Sequence, residues 1–195
     1  MKSLCVFCGA SSGADPVFSQ AAANFGQTLA RHRIELVWGG GHVGLMGVVA
    51  DAVLNAGGAA YGVIPGFMAE RELAHPRATE MVVVDSMHAR KAAMARRAEA
   101  FVALPGGLGT MDELFEILTW SQLHIHHNPV GLLNVNGFFE PFLAMVRHMV
   151  QAGFVQQIHL DRIHVAADAE TLLESMRQHR PLEGDWIGKV QPASA

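Results

Sequence analysis

Lysine is scarce in this chain and occurs only at positions 2, 91 and 189. Enzymes that use pyridoxal phosphate hold it on a lysine as a Schiff base and pair its ring nitrogen with an acidic side chain. Lys91 is the one lysine far from both ends of the sequence, and nothing near it resembles such a cofactor cradle. The lysine content therefore argues against a pyridoxal enzyme.

Long runs of one charge or of apolar residues are also absent. The 14 basic and 18 acidic residues are interspersed and give a net charge of -4, so no basic run predicts contact with a phosphate backbone. No apolar stretch approaches the roughly 18 residues of a membrane span, and MKSLCVFCGASSG reaches glycine too early for a signal peptide. We expect no nucleic acid partner, no membrane span and a cytoplasmic location.

Cysteine is limited to Cys5 and Cys8, which form a CxxC spacing. Redox motifs of this type begin a helix that stabilises the thiolate, whereas these residues lie in an apolar, strand-like run. Residues three apart in a strand point to opposite faces of the sheet. The sequence therefore predicts two reduced cysteines in the core.

Short apolar runs alternate with longer helical patterns along the 195 residues, half of which are hydrophobic. Strands that are apolar on both faces and separated by helices are typical of a covered parallel sheet. The sequence thus predicts an α/β fold with three layers, α/β/α, and about seven parallel strands. The predicted strands are Ser3 to Cys8, Ile34 to Trp38, Ala59 to Ile64, Met81 to Val84, Ala100 to Leu104, Val130 to Val135 and Arg162 to Val165. The predicted helices are Pro16 to Arg31, Leu45 to Ala56, Met87 to Ala98, Thr110 to Leu123, Phe138 to Gln151 and Ala169 to Gln178.

One domain is expected over residues 1–182, without a repeat or a linker. Asp15 and Pro16 supply an N-cap and a first-turn proline for the first helix, and NAGG at 55–58 ends the second. Residues 183–195 have weak periodicity, so we expect a peripheral tail.

Glycines follow three of the predicted strands. In an open parallel sheet, ligands bind where the carboxyl ends of strands meet the following helices. Turns without side chains let backbone N–H groups and helix dipoles hold a phosphate. We therefore expect a phosphate-bearing ligand at this edge. The glycine turns are Gly9 to Gly13, Gly39 to Gly41, and Gly106, Gly107 and Gly109, and the candidate nucleotide loops include Gly9, Ser11, Ser12, Gly40 and Gly41.

Two other patterns have weaker support. Gly39 to Gly44 matches GxGxxG, but AAYGVIPG at 59–66 lacks the acidic residue that a nicotinamide dinucleotide site requires at the end of the next strand. His124, His126 and His127 lie just past a predicted helix without HExxH spacing or a companion carboxylate pair. These histidines are interpreted as a polar helix end, and no metal site is predicted.

Glu113 has two interpretations. Thr110 and Glu113 match a capping box, with Thr110 at the N-cap and Glu113 at N3, and local spacing alone favours this role. Arg90, however, lies near the start of the helix that follows the fourth strand, where its charge opposes the helix dipole. A ligand at the strand ends would explain both charged residues.

Three segments together resemble the LONELY GUY (LOG) family of cytokinin riboside 5'-monophosphate phosphoribohydrolases. They are CGASSG at 8–13, GGGHVGLMG at 39–47 and SMHARKAAMARRAEAFVALPGGLGTMDEL at 86–114. The resemblance extends from about Lys2 to Arg180, and an Arg-Lys pair at this distance from PGGxGTxxE is highly specific. Leu108 stands where plant members usually have tyrosine, and Asp112 where many have glutamate. Relatives are often labelled possible lysine decarboxylases, a label that the lysine content contradicts.

The resemblance implies a Rossmann-like fold, a homodimer or larger assembly, and a reaction that needs no cofactor. It assigns catalysis to Arg90 and Glu113. It also implies a set of substrate-binding residues, namely Glu72, Lys91, Gly106, Gly107, Leu108, Gly109, Thr110, Met111, Asp112 and Thr119.

The expected reaction is hydrolysis of the N-glycosidic bond of a nucleoside 5'-monophosphate, which gives an adenine-type base and ribose 5-phosphate. A carboxylate near the sugar stabilises an oxocarbenium-like state, holds hydroxyls or orients water. Arginine does not readily lose a proton, so Arg90 is assigned to charge stabilisation and positioning. The alternative is a nucleotide-binding or carrier protein that holds its ligand without cleaving it.

Overall fold

Seven parallel strands form one sheet in the order β4-β3-β2-β1-β5-β6-β7. The structure, a computed structural model, describes residues 1–71 and 73–181. The strands are β1 (Ser3–Phe7), β2 (Glu35–Trp38), β3 (Ala60–Pro65), β4 (Glu80–Val84), β5 (Phe101–Ala103), β6 (Val130–Leu133) and β7 (Ile163–Ala166). The helices are α1 (Pro16–Arg31), α2 (Gly44–Asn55), α3 (Gly66–Ala69), α4 (Met87–Arg97), α5 (Leu108–Gln122), α6 (Glu140–Gln151), α7 (Gln157–Asp161) and α8 (Ala169–Arg177).

Helices cover both faces of the sheet. Buried residues of α1, α2 and α8, such as Phe25, Val49 and Leu172, pack on one face. Buried residues of α4, α5 and α6, such as Met94 and Leu114, pack on the other. The predicted α/β/α fold with a seven-stranded parallel sheet is therefore confirmed.

The two cysteines lie on opposite faces of the sheet, as the strand spacing predicts. Cys5 belongs to the core beside α4, α5 and α6, whereas Cys8 belongs to the core beside α1, α2 and α8. Both thiols are buried and free, and burial raises the pKa of each. These residues are therefore protonated, buried side chains that face opposite sides of the sheet.

The order of the strands changes direction at β1, with β2, β3 and β4 on one side of it and β5, β6 and β7 on the other. Successive strands run outward from β1 to β4, and the chain then returns to place β5 on the other side of β1. The register pairs Cys5 with Phe101 and Phe7 with Ala103, so the carboxyl ends of β1 and β5 lie side by side. Ligands bind outside such a switch point in open α/β sheets.

Local sequence accounts for several helix boundaries. Asp15 caps α1 by accepting a hydrogen bond from the Val17 N–H at 2.9 Å, and Pro16 occupies the first turn. Asp168 caps α8 in the same way, accepting from Thr171. After α2, Gly57 adopts a positive φ of 78°, as the NAGG pattern predicts.

The predicted element ends differ from the observed ones by at most two residues. The short helices α3 and α7 were not predicted, because four or five residues show little periodicity. Within the described ranges, no helix is both long and apolar enough to cross a membrane. The predicted C-terminal tail lies outside the described residues.

Candidate active site

A cleft of about 630 Å³ opens at the switch point between β1 and β5. Its floor and walls come from the turns after these two strands, together with residues of the helices α1 to α5 and the segment after β6. It is lined by Cys8, Gly9, Ala10, Ser11, Ser12, Gly13, Phe18, Leu45, Met46, Met68, Arg90, Pro105, Gly106, Gly107, Leu108, Gly109, Thr110, Glu113 and Phe138.

The turn after β5 presents the beginning of α5 to the cleft. Gly107 is the N-cap in an extended conformation, and the Met111 N–H donates to its carbonyl at 3.1 Å. Gly106 lacks a side chain where a Cβ would collide with the Oγ1 and Cβ atoms of Thr110. The amides of Leu108, Gly109 and Thr110 are in the first helical turn, whose N–H groups have no intrahelical acceptor. They are available to an anion in the cleft.

The predicted capping box is wrong. α5 begins at Leu108, two residues before the predicted start, so Thr110 is already helical and buried at 3% exposure. Glu113 therefore lies in the second turn and is too far along the helix to reach back to the N-cap. Its side chain instead approaches Arg90, at 3.4 Å from Oε1 to Nη1.

The second glycine turn does not line the cleft. The Gly40 carbonyl accepts from the His75 N–H at 2.8 Å, and Gly41 forms an isolated antiparallel bridge with Ala74. At the start of α2, the amides of Leu45 and Met46 both donate to the Gly9 carbonyl, at 3.0 and 3.3 Å. This turn thus uses its backbone groups within the protein, because segment 73–75 covers it.

Arg90 points from α4 to the carboxyl ends of β2 and β3. Its Nε donates to the Val63 carbonyl at 3.2 Å and its Nη2 to the Gly39 carbonyl at 3.0 Å. Arg90 is buried at 6% exposure, and Glu113 lies at the remaining edge of its guanidinium. Carbonyl oxygens and a carboxylate therefore offset a charge that opposes the dipole of its own helix.

Glu113 is a buried carboxylate with a raised pKa. Burial raises its pKa from 4.5 to about 7, although the nearby Arg90 charge acts to lower it. Its exposed fraction is 8%, and its side chain faces the cleft. Near neutral pH this group can exist with or without its proton, which suits acid–base work or stabilisation of a cation.

Lys91 lies next to Arg90 but outside the cleft lining. Its Nζ forms ion pairs with Asp112 at 3.0 Å and with Glu116 at 3.2 Å. Lys91 therefore joins α4 to α5 directly beside the Arg90–Glu113 pair.

The other proposed binding residues fall into two groups. Gly9, Ser11, Ser12, Gly106, Gly107, Leu108, Gly109 and Thr110 all line the cleft. Met111, Asp112 and Thr119 are on α5 but do not line it, and Thr119 borders a separate cavity of about 230 Å³. Glu72 lies outside the described residues.

An apolar wall of the cleft was not predicted. The rings of Phe18 and Phe138 meet edge to face with centroids 5.8 Å apart, and Met46 and Met68 also line the cleft. Apolar residues at such positions look like core residues in a sequence, and only the fold shows that they face an open space.

The histidines after α5 lie at the end of that helix, and one of them, His126, contacts backbone groups. His126 contacts the Ile117 carbonyl through Nε2 at 2.9 Å, and its Nδ1 accepts from the Asn128 N–H. No group of three metal-ligating side chains was found in the ranges that the structure describes. These contacts fit the interpretation as a polar helix end.

Comparison with known proteins identifies the family. A family model described as possible lysine decarboxylase matches residues 46–176. Cytokinin riboside 5'-monophosphate phosphoribohydrolase LOG2 of Arabidopsis thaliana is 43% identical over 97% of this chain and 89% of its own length. LOG7 of the same plant, which bears the same enzyme name, is 46% identical over 92% of this chain and 83% of its own length. The chain belongs to the LOG family.

Solved structures support the LOG fold but not a specific activity. The molybdenum cofactor carrier protein of Chlamydomonas reinhardtii has a TM-score of 0.69 at 23% identity, covering 90% of this chain and 96% of its own. The molybdenum cofactor binding protein of Rippkaea orientalis has a TM-score of 0.68 at 20% identity, covering 91% and 96%. Such distant similarity shows a shared Rossmann-like fold alone.

Proposed function

We propose that this LOG protein is a hydrolase that cleaves the N-glycosidic bond of adenosine 5'-monophosphates, including N6-substituted ones. The products are the free adenine or cytokinin base and ribose 5-phosphate. One observation carries the proposal: the buried Arg90–Glu113 pair and the first amides of α5 face the same cleft. The names of the plant relatives support the same reaction.

The phosphate is assigned to the N-terminus of α5. The amides of residues 107–110 and the positive end of the helix dipole favour a dianion there. Gly106, Gly107 and Gly109 let the ligand approach the backbone closely. This placement leaves the ribose near Glu113, one turn further along the helix.

Glu113 and Arg90 are assigned to the bond-breaking step. As the C–N bond breaks, its electron pair leaves with the base, which takes up a proton, and the ribose becomes oxocarbenium-like. The Glu113 carboxylate stabilises this positive charge and orients the water whose oxygen attacks the anomeric carbon, and the proton that this water loses balances the one that the base takes up. Arg90 holds Glu113 in place, and its charge favours the ionised form of that carboxyl.

The remaining binding assignments rest on the family resemblance. Lys91, Met111, Asp112, Thr119 and Glu72 are retained as proposed nucleotide contacts, although the four described ones lie outside the cleft of a single chain. A homodimer is part of the same proposal. A cytoplasmic location remains a prediction from the sequence.

Product analysis distinguishes hydrolysis from simple binding. We expect AMP and N6-isopentenyladenosine monophosphate, incubated separately with the protein, to yield free base that chromatography resolves from the nucleotide. Glu113→Gln should bind nucleotide but release little base. A carrier would bind the nucleotide and return it intact, and that result would overturn the proposed function.

A further inference from the structure

Gly39, the residue directly after β2, has no room for a side chain. The three atoms nearest to a Cβ built at Gly39 all belong to the Arg90 guanidinium: Nη2, in direct collision, then Cζ at 2.6 Å and Nε at 3.1 Å. A real Cβ essentially never approaches other atoms closer than 3.0 Å. An alanine at this position would therefore have to displace the guanidinium.

The backbone of Gly39 does not itself require glycine. Its φ lies outside the positive range that favours glycine, unlike that of its neighbour Gly40 at 73°. The requirement at Gly39 is therefore for space, and Arg90 is what occupies that space.

The same residue also anchors Arg90. The Gly39 carbonyl accepts from Nη2 at 3.0 Å while the Val63 carbonyl accepts from Nε at 3.2 Å. Two backbone oxygens on neighbouring strands thus fix the plane of the guanidinium, and the space at Gly39 lets it approach them. Nη1 remains directed to Glu113.

We propose that Gly39 is a positioning residue for the reaction, which acts by leaving the space in which the Arg90 guanidinium is held against Glu113. This inference rests on the proposed function for its effect on catalysis. Its structural part, the dependence of Arg90 and Glu113 on the size of residue 39, can be tested without turnover.

Gly39→Ala is the test variant and Gly66→Ala its matched control. Gly66 also follows the carboxyl end of a strand, but a Cβ there would meet only Val83, at an ordinary 3.8 Å. We expect Gly39→Ala to lower kcat by about 10²-fold with a smaller change in KM, because a displacement of about 1 Å in a catalytic group has that effect. Gly66→Ala should stay within about threefold of the wild type in kcat.

A double-mutant cycle with Arg90→Ala separates positioning from general packing. Arg90→Ala removes the three atoms nearest to the methyl group, so in that background Gly39→Ala should change kcat by no more than about threefold and leave the melting temperature unchanged. If Gly39→Ala alone unfolds the protein, recovery of the fold in Gly39→Ala/Arg90→Ala supports the same conclusion. Equal losses in both backgrounds would overturn the proposal, since Gly39 would then act independently of Arg90.

The titration of Glu113 provides a measurement without substrate. Displacing Arg90 changes the distance between its charge and Glu113, so Gly39→Ala should shift the Glu113 pKa from its wild-type value. Carbon-13 NMR of labelled glutamate, with Glu113→Gln to assign the signal, measures this shift. An unchanged Glu113 pKa would overturn the proposal.

The two proposals can fail separately. If the wild type releases no base, the hydrolase assignment fails. The NMR titration and the melting temperatures of the double-mutant cycle still test whether Gly39 positions Arg90. If the wild type is active but the cycle is additive, only the inference about Gly39 fails.

Discussion

At the scale of single residues, Arg90 and Glu113 are both buried, but the charge of Arg90 only partly offsets the cost of burying the Glu113 carboxylate. Glu113 approaches the guanidinium at 3.4 Å, longer than a close charge-assisted hydrogen bond, and Arg90 also donates to two backbone carbonyls. Burial therefore outweighs the attraction and leaves the Glu113 pKa at about 7. Such a group is costly for stability but suited to catalysis near neutral pH.

Replacing Glu113 tests its chemical role directly. Glu113→Gln preserves the side-chain shape and an oxygen that can accept from Arg90, but removes the charge that stabilises an oxocarbenium-like ribose. We expect kcat to fall by a factor on the order of 10² or more while nucleotide binding is retained, as measured by base release and calorimetry. Glu174→Gln, which makes the same change on the exposed side of α8 away from the cleft, is the control and should keep near-normal turnover. A Gln variant as active as the wild type would refute this mechanism.

Comparing the wild type with Glu113→Gln also shows how ionisation of Glu113 makes the free energy of unfolding depend on pH. Its pKa is about 7 when folded and 4.5 as the reference for the unfolded chain, so the folded state holds this proton more tightly. As pH rises from about 4.5 to 7, the unfolded state loses the proton first, and this contribution to the free energy of unfolding decreases before levelling off. Urea unfolding should show this decrease in the wild type relative to Glu113→Gln. A constant difference across that pH range would contradict the raised pKa.

At the scale of secondary-structure elements, α5 brings phosphate binding and catalysis onto one rigid segment. Its first amides face the cleft, and Glu113 follows one turn later. The Lys91 ion pairs to Asp112 and Glu116 join α4 to α5 beside the Arg90–Glu113 pair. The two helices therefore fix the catalytic pair relative to the phosphate site.

Leu108 offers a specific test of the helix N-terminus. Its side chain is 91% exposed, and Leu108 is the first residue of α5, a position that accepts proline. Leu108→Pro removes one N–H from the proposed phosphate site, and Leu108→Ala keeps it. We expect Leu108→Pro to weaken AMP binding about tenfold relative to Leu108→Ala, as measured by calorimetry, because a hydrogen bond to a charged group contributes roughly 1.5 kcal/mol or more. Equal affinities would place the phosphate elsewhere.

At the scale of the whole molecule, one side of the sheet retains exposed apolar residues. Apart from Leu108 at the cleft, the large exposed apolar residues on α5, α6, α7 and the connections after them are Phe115, Leu123, Ile125, Met145, Phe154 and Ile158. The sequence of these helices is more apolar than one buried stripe requires, and the structure shows that part of the excess faces outward. This surface is where we expect a second copy of the chain to bind.

Light scattering measures the assembly. At micromolar concentration we expect the mass of two 21.0 kDa chains. Phe154 is 83% exposed, and Phe154→Asp should shift the mass toward one chain because it introduces a charge into an apolar interface. Val83→Thr, at an exposed position on the edge strand β4, is the control and should leave the dimer intact. A wild type with the mass of one chain would refute the dimer.

The sequence by itself determined the strands, the longer helices, the layers and the family. Apolar strands between amphipathic helices, the Asp15 cap and the cysteine spacing depend on residues within a few positions of one another, so local chemistry was enough. The glycine turns correctly indicated the edge of the sheet that carries the cleft. The Arg-Lys pair and PGGxGTxxE indicated the family that the comparisons confirm.

Only the tertiary structure decided how the site is built. The carbonyls that hold Arg90 are 27 and 51 residues before it in the sequence, so no local pattern predicts them. α5 begins at Leu108, so Thr110 is inside the first turn and is buried by the fold at 3% exposure instead of capping the helix, which is why the capping box was wrong. The Glu113 pKa depends on burial by distant segments, and the second glycine turn is covered by residues 73–75. Contacts between residues far apart in the sequence leave no periodic pattern, whereas the strands and the longer helices do.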